Sequence, residues 1–113
     1  MHEMSLAESV RQIIEDTARE QGFSKVKTVW LEIGQLSCIE PEAMRFCFDV
    51  AMEDSIAKDA QLEIIELPGA GCCEACSEMV EMQQQYGLCP KCGSPRLQIV
   101  SGDRMRVKDL EVE

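Results

Sequence analysis

Leu6, Val10, Ile13, Ile14 and Ala18 recur at the three-and-four spacing of one helix face. Ser5-Leu6-Ala7-Glu8 fits a capping box before them and Gly22 a stop after them, which predicts a helix of about four turns. From Val26 to Ile33 the period changes to two. Val29, Leu31 and Ile33 fall on one face of the predicted strand, Thr28, Trp30 and Glu32 on the other, and Gly34 ends the run. Glu40-Pro41-Glu42 reads as a second helix start, with proline at the first helical position and carboxylates at the positive end of the macrodipole. Met44, Cys47, Phe48 and Ala51 give this helix an apolar face that Phe46 and Val50 broaden, so it is expected to be well buried. Leu62 to Leu67 is a second strand stopped by Pro68, and Met105 to Val112 a third. The alternation of the third changes phase between Val107 and Leu110, the mark of a β-bulge near Lys108 and Asp109.

Residues 69–96 break these patterns. Glycine, cysteine, proline and polar residues dominate, apolar periodicity vanishes, and something other than a conventional core is expected to hold the segment. The fold class that follows is α+β: a small three-stranded sheet with two helices, interrupted by an inserted four-cysteine, zinc-ribbon-like module. Residues 1–68 form the first part of the main domain, 69–96 the module, and 97–113 the strand that returns.

The module carries Cys73-Glu-Ala-Cys76 and Cys89-Pro-Lys-Cys92, two CxxC turns twelve residues apart. Such turns each set two thiolates on one side of the chain, and two of them complete a tetrahedron around Zn(II). Gly93 supplies a permissive backbone behind the second pair. A redox CxxC belongs at a helix start in a βαβ pattern, which is absent here; a rubredoxin-like iron site shares the spacing and stays open. Cys72 leaves the first ligand open to two thiols, with Cys73 preferred because it makes the better turn. Cys38 and Cys47 are expected to be ordinary buried thiols. Four thiolates leave no open position, so the site is expected to stabilise structure and not to catalyse.

Composition narrows the partners. Asp and Glu number 21 against 11 Lys and Arg, a net charge of −10 that repels nucleic acid and anionic membranes and favours cationic partners or metal ions. No apolar run approaches the roughly 18 residues of a membrane span, and no basic stretch precedes an apolar core at the start. The expectation is a cytoplasmic protein, in which the seven cysteines point to metal ligation over disulfides.

The only histidine is His2, in the opening MHEM. The Met1 amine, the His2 backbone nitrogen and the His2 imidazole can chelate one metal in fused rings, and Glu3 can add a nitrogen or oxygen. A nitrogen-rich square-planar set suits Ni(II) or Cu(II), and its affinity rises with pH because the ligands must lose protons. Taken alone, a histidine at this position is more often a solvated terminal residue.

MHEMSLAES at the start, VWLEIGQLSCIEPEAMRFCFD, the paired CxxC motifs and GDRMRVKDLEVE at the end together resemble the HypA/HybF family of nickel metallochaperones. The resemblance runs nearly end to end. It implies a nickel-binding α+β domain with a zinc domain, and His2 as nickel ligand assisted by nitrogens of Met1 and Glu3. It also implies delivery of Ni(II) to the [NiFe]-hydrogenase large subunit together with the GTPase HypB, as monomer or homodimer. Glu40 stands where family members can carry an acid close to the nickel, a place its helix-start role explains equally well. The doubled Cys72-Cys73 is a departure from the family pattern. The expected function is therefore a non-enzymatic nickel carrier. The alternatives are a zinc-ribbon interaction module with an incidental MHE start, nickel supply to another enzyme such as urease, and thiol redox chemistry at CxxC. No phosphate-binding glycine loop or open metal site with a base beside it supports catalysis.

Overall fold

The structure, a computed structural model, describes residues 3–113; Met1 and His2 lie outside the described residues. In chain order the elements are α1 (Glu3–Gln21), β1 (Val26–Gly34), a 3-10 turn (Gln35–Ser37), α2 (Pro41–Ala51), β2 (Gln61–Leu67), β3 (Gly69–Cys73), β4 (Met79–Met82), β5 (Leu97–Ser101) and β6 (Met105–Val112). They form two three-stranded sheets, ordered β2-β1-β6 and β4-β3-β5. The chain divides into two compact units. The first holds the described residues up to Leu31, with Ile39–Ile65 and Arg106–Glu113; the second holds Glu32–Cys38 and Glu66–Met105.

In the first unit α1 packs on α2. Ala7, Val10 and Ile14 from α1, Val26, Val29 and Leu31 from β1, and Met44 and Phe48 from α2 are buried in its core. Two further core residues, Met52 and Ala57, come from the irregular stretch after α2, where no periodicity announces them. The Glu113 N–H donates to Lys25 O and the Ser24 N–H to Glu113 O, so the start of β1 meets the end of β6 and the two strands run antiparallel. Thr28 is buried and its hydroxyl donates to Glu111 Oε1 at 2.7 Å, so the polar side of β1 is also covered.

Three expectations change here. Helix α1 begins at Glu3, which puts Ser5 inside the helix and not at its cap. The physical reason is Glu3 itself: an acid in the first turn is favoured by the macrodipole, and its carboxylate is tied to α2 by a hydrogen bond. Phe46 and Val50 are exposed, although they broaden the apolar face of α2 on paper. Each lies two residues beyond a buried neighbour, Met44 or Phe48, and so about 200° round the helix from it. Ile13 is likewise exposed beside buried Ile14. The stop at Gly22 is as expected, with φ +79° and its N–H on Ala18 O. Burial along β6 changes phase between Val107 and Leu110.

In the second unit β3 lies between two antiparallel partners, pairing Cys72 with Met79 of β4 and Cys73 with Leu97 of β5. A register shift falls between Ala70 and Gly71. The segment that lacks apolar periodicity does build a small core. Leu36, Cys73, Val80, Met82 and Cys89 are buried together, with Cys76, Leu97 and Ile99 packed against them. Leu36 comes from the 3-10 turn, and its carbonyl accepts from Gln85 Nε2 at 2.7 Å. Gly34, Gly69 and Gly102 let backbones approach closely at this point. A Cβ on Gly34 would collide with the Gly102 carbonyl, which is backbone and cannot rotate away. Gly34→Ala is expected to cost about 2–4 kcal/mol, read as a fall in thermal midpoint. Gly22→Ala, which meets nothing within 4 Å, is expected to cost only the left-handed strain of about 1 kcal/mol.

Candidate metal centre

The first ligand position is built by a strand end. Cys73 closes β3, where the pleat turns its side chain to the buried face and sends Cys72 to the other. The chain then folds back on itself, because the Ser77 N–H donates to Cys73 O at 2.8 Å and Ser77 takes φ +62°. The second turn repeats the first. The Gly93 N–H donates to Cys89 O at 2.7 Å, and Gly93 has φ +79°. The left-handed residue thus stands four places after the first cysteine in both turns, once as serine and once as the expected glycine. The Glu74 N–H donates to Arg96 O at 2.9 Å and pins the first turn to the start of β5.

These turns bring the Sγ atoms of Cys73, Cys76, Cys89 and Cys92 within 4.8 Å of one another. Cys73 and Cys92 are 3.6 Å apart and Cys76 and Cys89 3.8 Å apart. A metal bound to four thiolates at about 2.3 Å requires tetrahedral edges of about 3.8 Å, so the donor set fits such an ion. Cys73 and Cys89 are buried, Cys76 is half-buried and Cys92 is exposed. Cys72 stands outside the cluster, its Sγ 4.0 Å from Cys73 O. Cys38 is exposed with φ +62° and Cys47 is half-buried, so neither is the fully buried thiol expected of it; Cys38 ends the 3-10 turn and its conformation turns it outward.

The four thiols are not equivalent. The N–H of Cys76, with that of Ala75, donates to the Cys73 sulfur and lowers its pKa to about 7 against the cost of desolvation. At Cys89 desolvation raises the thiol, but the N–H groups of Cys92 and Lys91 outweigh it and leave it lowered; the Lys91 nitrogen is 3.4 Å away. For Cys76 the Glu78 N–H pulls downward, but desolvation and the neighbouring sulfurs outweigh it and push the thiol up to about 12. At Cys92 the Ser94 N–H pulls downward as well, and the Cys73 sulfur with desolvation raises the thiol over it. In each turn the first cysteine's pKa is lowered and the second's is raised, so the second holds its proton more tightly until a cation displaces it. Lys91 and Arg96 lie near Glu78 and Glu74, at 3.9 and 4.0 Å.

At the other end of the sequence pattern, the Glu3 side chain is only 6% exposed, and the Glu40 N–H donates to its Oε2 at 3.1 Å. Glu40 caps α2, with its own carboxylate accepting from the Glu42 N–H at 3.3 Å. The structure therefore joins two residues that the sequence singles out separately, and the contact uses the Glu3 carboxylate. Met1 and His2, the other two expected nickel ligands, lie outside the described residues. The supporting roles of Leu36 and Gln85 in the cysteine unit were not read from the sequence, where neither belongs to a motif.

No helix among the described residues is long and apolar enough to cross a membrane. The family model described as hydrogenase/urease nickel incorporation metallochaperone, HypA, matches residues 1–112. Proteins named hydrogenase maturation factor HypA are similar over all of this chain and all of theirs: 61% identical in Albidiferax ferrireducens, 57% in Rhodopseudomonas palustris and 50% in Azotobacter vinelandii. The solution structure of the Ni metallochaperone HypA from Helicobacter pylori superposes with a TM-score of 0.76 at 31% identity, over 99% of this chain and 97% of that one. The α+β fold is shared with that neighbour, and this chain carries its four-cysteine cluster within it. The chain belongs to the HypA family, and is a metallochaperone-type maturation factor, not an enzyme.

Proposed function

We propose that this protein carries Ni(II) to the large subunit of a [NiFe]-hydrogenase in the cytoplasm, in concert with the GTPase HypB. Nickel is cargo, held by the His2 imidazole and backbone nitrogen, the Met1 amine and a Glu3 nitrogen. Cys73, Cys76, Cys89 and Cys92 hold a resident Zn(II), which supplies cross-linking of the unit and no chemistry on the cargo. The observation that carries the reading is the family match over residues 1–112, which includes the MHE start and both CxxC turns. The buried Glu3 supports it. A carrier needs its ligands held in place, and the Glu3 side chain ties the start of α1 to the start of α2. The family description names urease beside hydrogenase, so nickel supply to urease is the second reading.

The test is transfer. Nickel-loaded protein mixed with apo large subunit, HypB and GTP, in the presence of a chelator that sequesters free nickel, is expected to load the large subunit. His2→Gln protein is expected to load none. Equal loading by the two would overturn the reading, and loading of apo-urease alone would favour the second.

A further inference from the structure

The negative charge of this chain is concentrated on its two helices and the residues that flank α2. Residues 3–21 and 40–54 carry ten Asp and Glu against Arg11, Arg19 and Arg45, a net of −7; the remaining residues carry eleven against eight, a net of −3. Apolar side chains stand exposed within that field: Phe46 at 68%, Val50 at 47% and Met4 at 38%. Met4 and Val50 line one cleft of about 540 Å³ between α1 and α2, with Ala51 and the carboxylates of Glu8, Glu15 and Asp54. Phe46 lies one turn before Val50 and extends the stripe along α2, with Asp49 beside it and Glu53 in the turn that follows the helix.

Arg11 engages its charge within this surface with Glu15 and Asp54, and the carboxylates of Glu8, Asp49 and Glu53 have no such pairing with it. Its guanidinium donates to Glu15 Oε2 at 3.2 Å, to Ala51 O at 3.0 Å and to Asp54. A second copy would bring two layers of −7 face to face, and an anionic membrane or nucleic acid would be repelled in the same way. Charge complementarity therefore selects one kind of occupant.

We infer that the α1–α2 cleft is a docking surface for a cationic amphipathic segment of a partner protein, with its apolar anchors on Met4, Phe46 and Val50 and its Lys or Arg side chains against Glu8, Asp49 and Glu53. The mode is that of a helix laid in a groove. None of these residues is a proposed nickel ligand, and Phe46 and Val50 are remote in sequence from Met1, His2 and Glu3.

The test is a heteronuclear NMR titration of the zinc-loaded full chain with a synthetic Leu/Lys peptide of about 15 residues at helical period, beside a Leu/Glu peptide of the same design. Shifts are expected on α1 and α2 only, with affinity falling steeply between about 50 and 500 mM salt. Phe46→Ser with Val50→Ser is expected to weaken binding at least about tenfold, the loss typical of removing interface anchors. Both positions are exposed, so the fold should survive. Val100→Ser, an exposed apolar position of the second unit, is expected to change nothing. Equal binding of the Leu/Glu peptide, or unchanged affinity in the double variant, would overturn the assignment. So would a dimer in sedimentation equilibrium that Phe46→Ser dissolves, because the occupant would then be a second copy.

Discussion

Stripping the metal from the four-cysteine cluster is expected to unfold the second unit while the helical unit keeps its structure. The core of the second unit is small: two of its five buried members, Cys73 and Cys89, are themselves proposed ligands. Its two CxxC turns depend on left-handed residues, Ser77 and Gly93, and each turn is closed by only a pair of backbone hydrogen bonds, Ser77 N–H to Cys73 O with Cys73 N–H to Glu78 O, and Gly93 N–H to Cys89 O with Cys89 N–H to Ser94 O. Structural zinc contributes about 10–16 kcal/mol to the folding of small domains, as much as the whole stability of a typical one. No hydrophobic gain available to Leu36, Val80 and Met82 replaces that. The helical unit has its own core of apolar side chains across α1, α2 and β1, and the described four-cysteine cluster contributes nothing to it. Cys92→Ser gives the cleanest variant, because Cys92 is exposed and the change removes a ligand without disturbing buried packing. Loss of amide dispersion for 66–105, with dispersion retained for α1 and α2, is the expected spectrum of both the chelated wild type and the variant. Full dispersion in metal-free protein would contradict it. Acid should act in the same direction, because protons compete with the metal for the thiolates.

Glu3→Ala is expected to weaken nickel binding at least about tenfold, and Glu3→Gln to leave it nearly intact. The Glu3 carboxylate accepts from the Glu40 N–H and anchors the helix start, and the proposed chelate takes Glu3 through its backbone nitrogen. A hydrogen bond to a charged acceptor contributes about 1.5–3 kcal/mol, and losing it also leaves the Glu40 N–H without that partner. The glutamine carbonyl can accept the same bond at the same length. If the carboxylate were itself a nickel ligand, Gln would be as harmful as Ala, and that outcome in a calorimetric titration would contradict the account. Circular dichroism at the same temperature separates a lost metal site from a lost helix.

Much of this was legible before any coordinates. The hydrophobic periods place α2, β1, β2 and β6 within a residue or two, and α1 apart from its first turn, because each buries one face and the face repeats. The paired CxxC spacing singles out the four sulfurs that meet, because a short turn leaves little freedom in where its cysteines point. What was hidden depends on contacts distant in sequence. Nothing near Glu3 announces that its carboxylate will find an N–H 37 residues away and lengthen the helix past Ser5. Nothing near Leu36 marks it as core for strands that begin at Gly69. Strands β3, β4 and β5 escape notice because they are four or five residues long, too short to establish a period, and β3 carries glycine and cysteine where a longer strand would alternate. Phe46 and Val50 mislead for the opposite reason. Apolar character predicts burial in general, and a residue kept for a partner breaks that rule.

The most direct measurement is a Ni(II) titration of zinc-loaded protein, wild type beside His2→Gln, followed by calorimetry and by visible absorption. The account predicts one nickel per chain in the wild type, with the absorption of a planar nitrogen-rich site, and loss of both in the variant while the zinc content stays unchanged. Equal nickel binding by the two proteins would contradict it and would remove the chain's one histidine from the site.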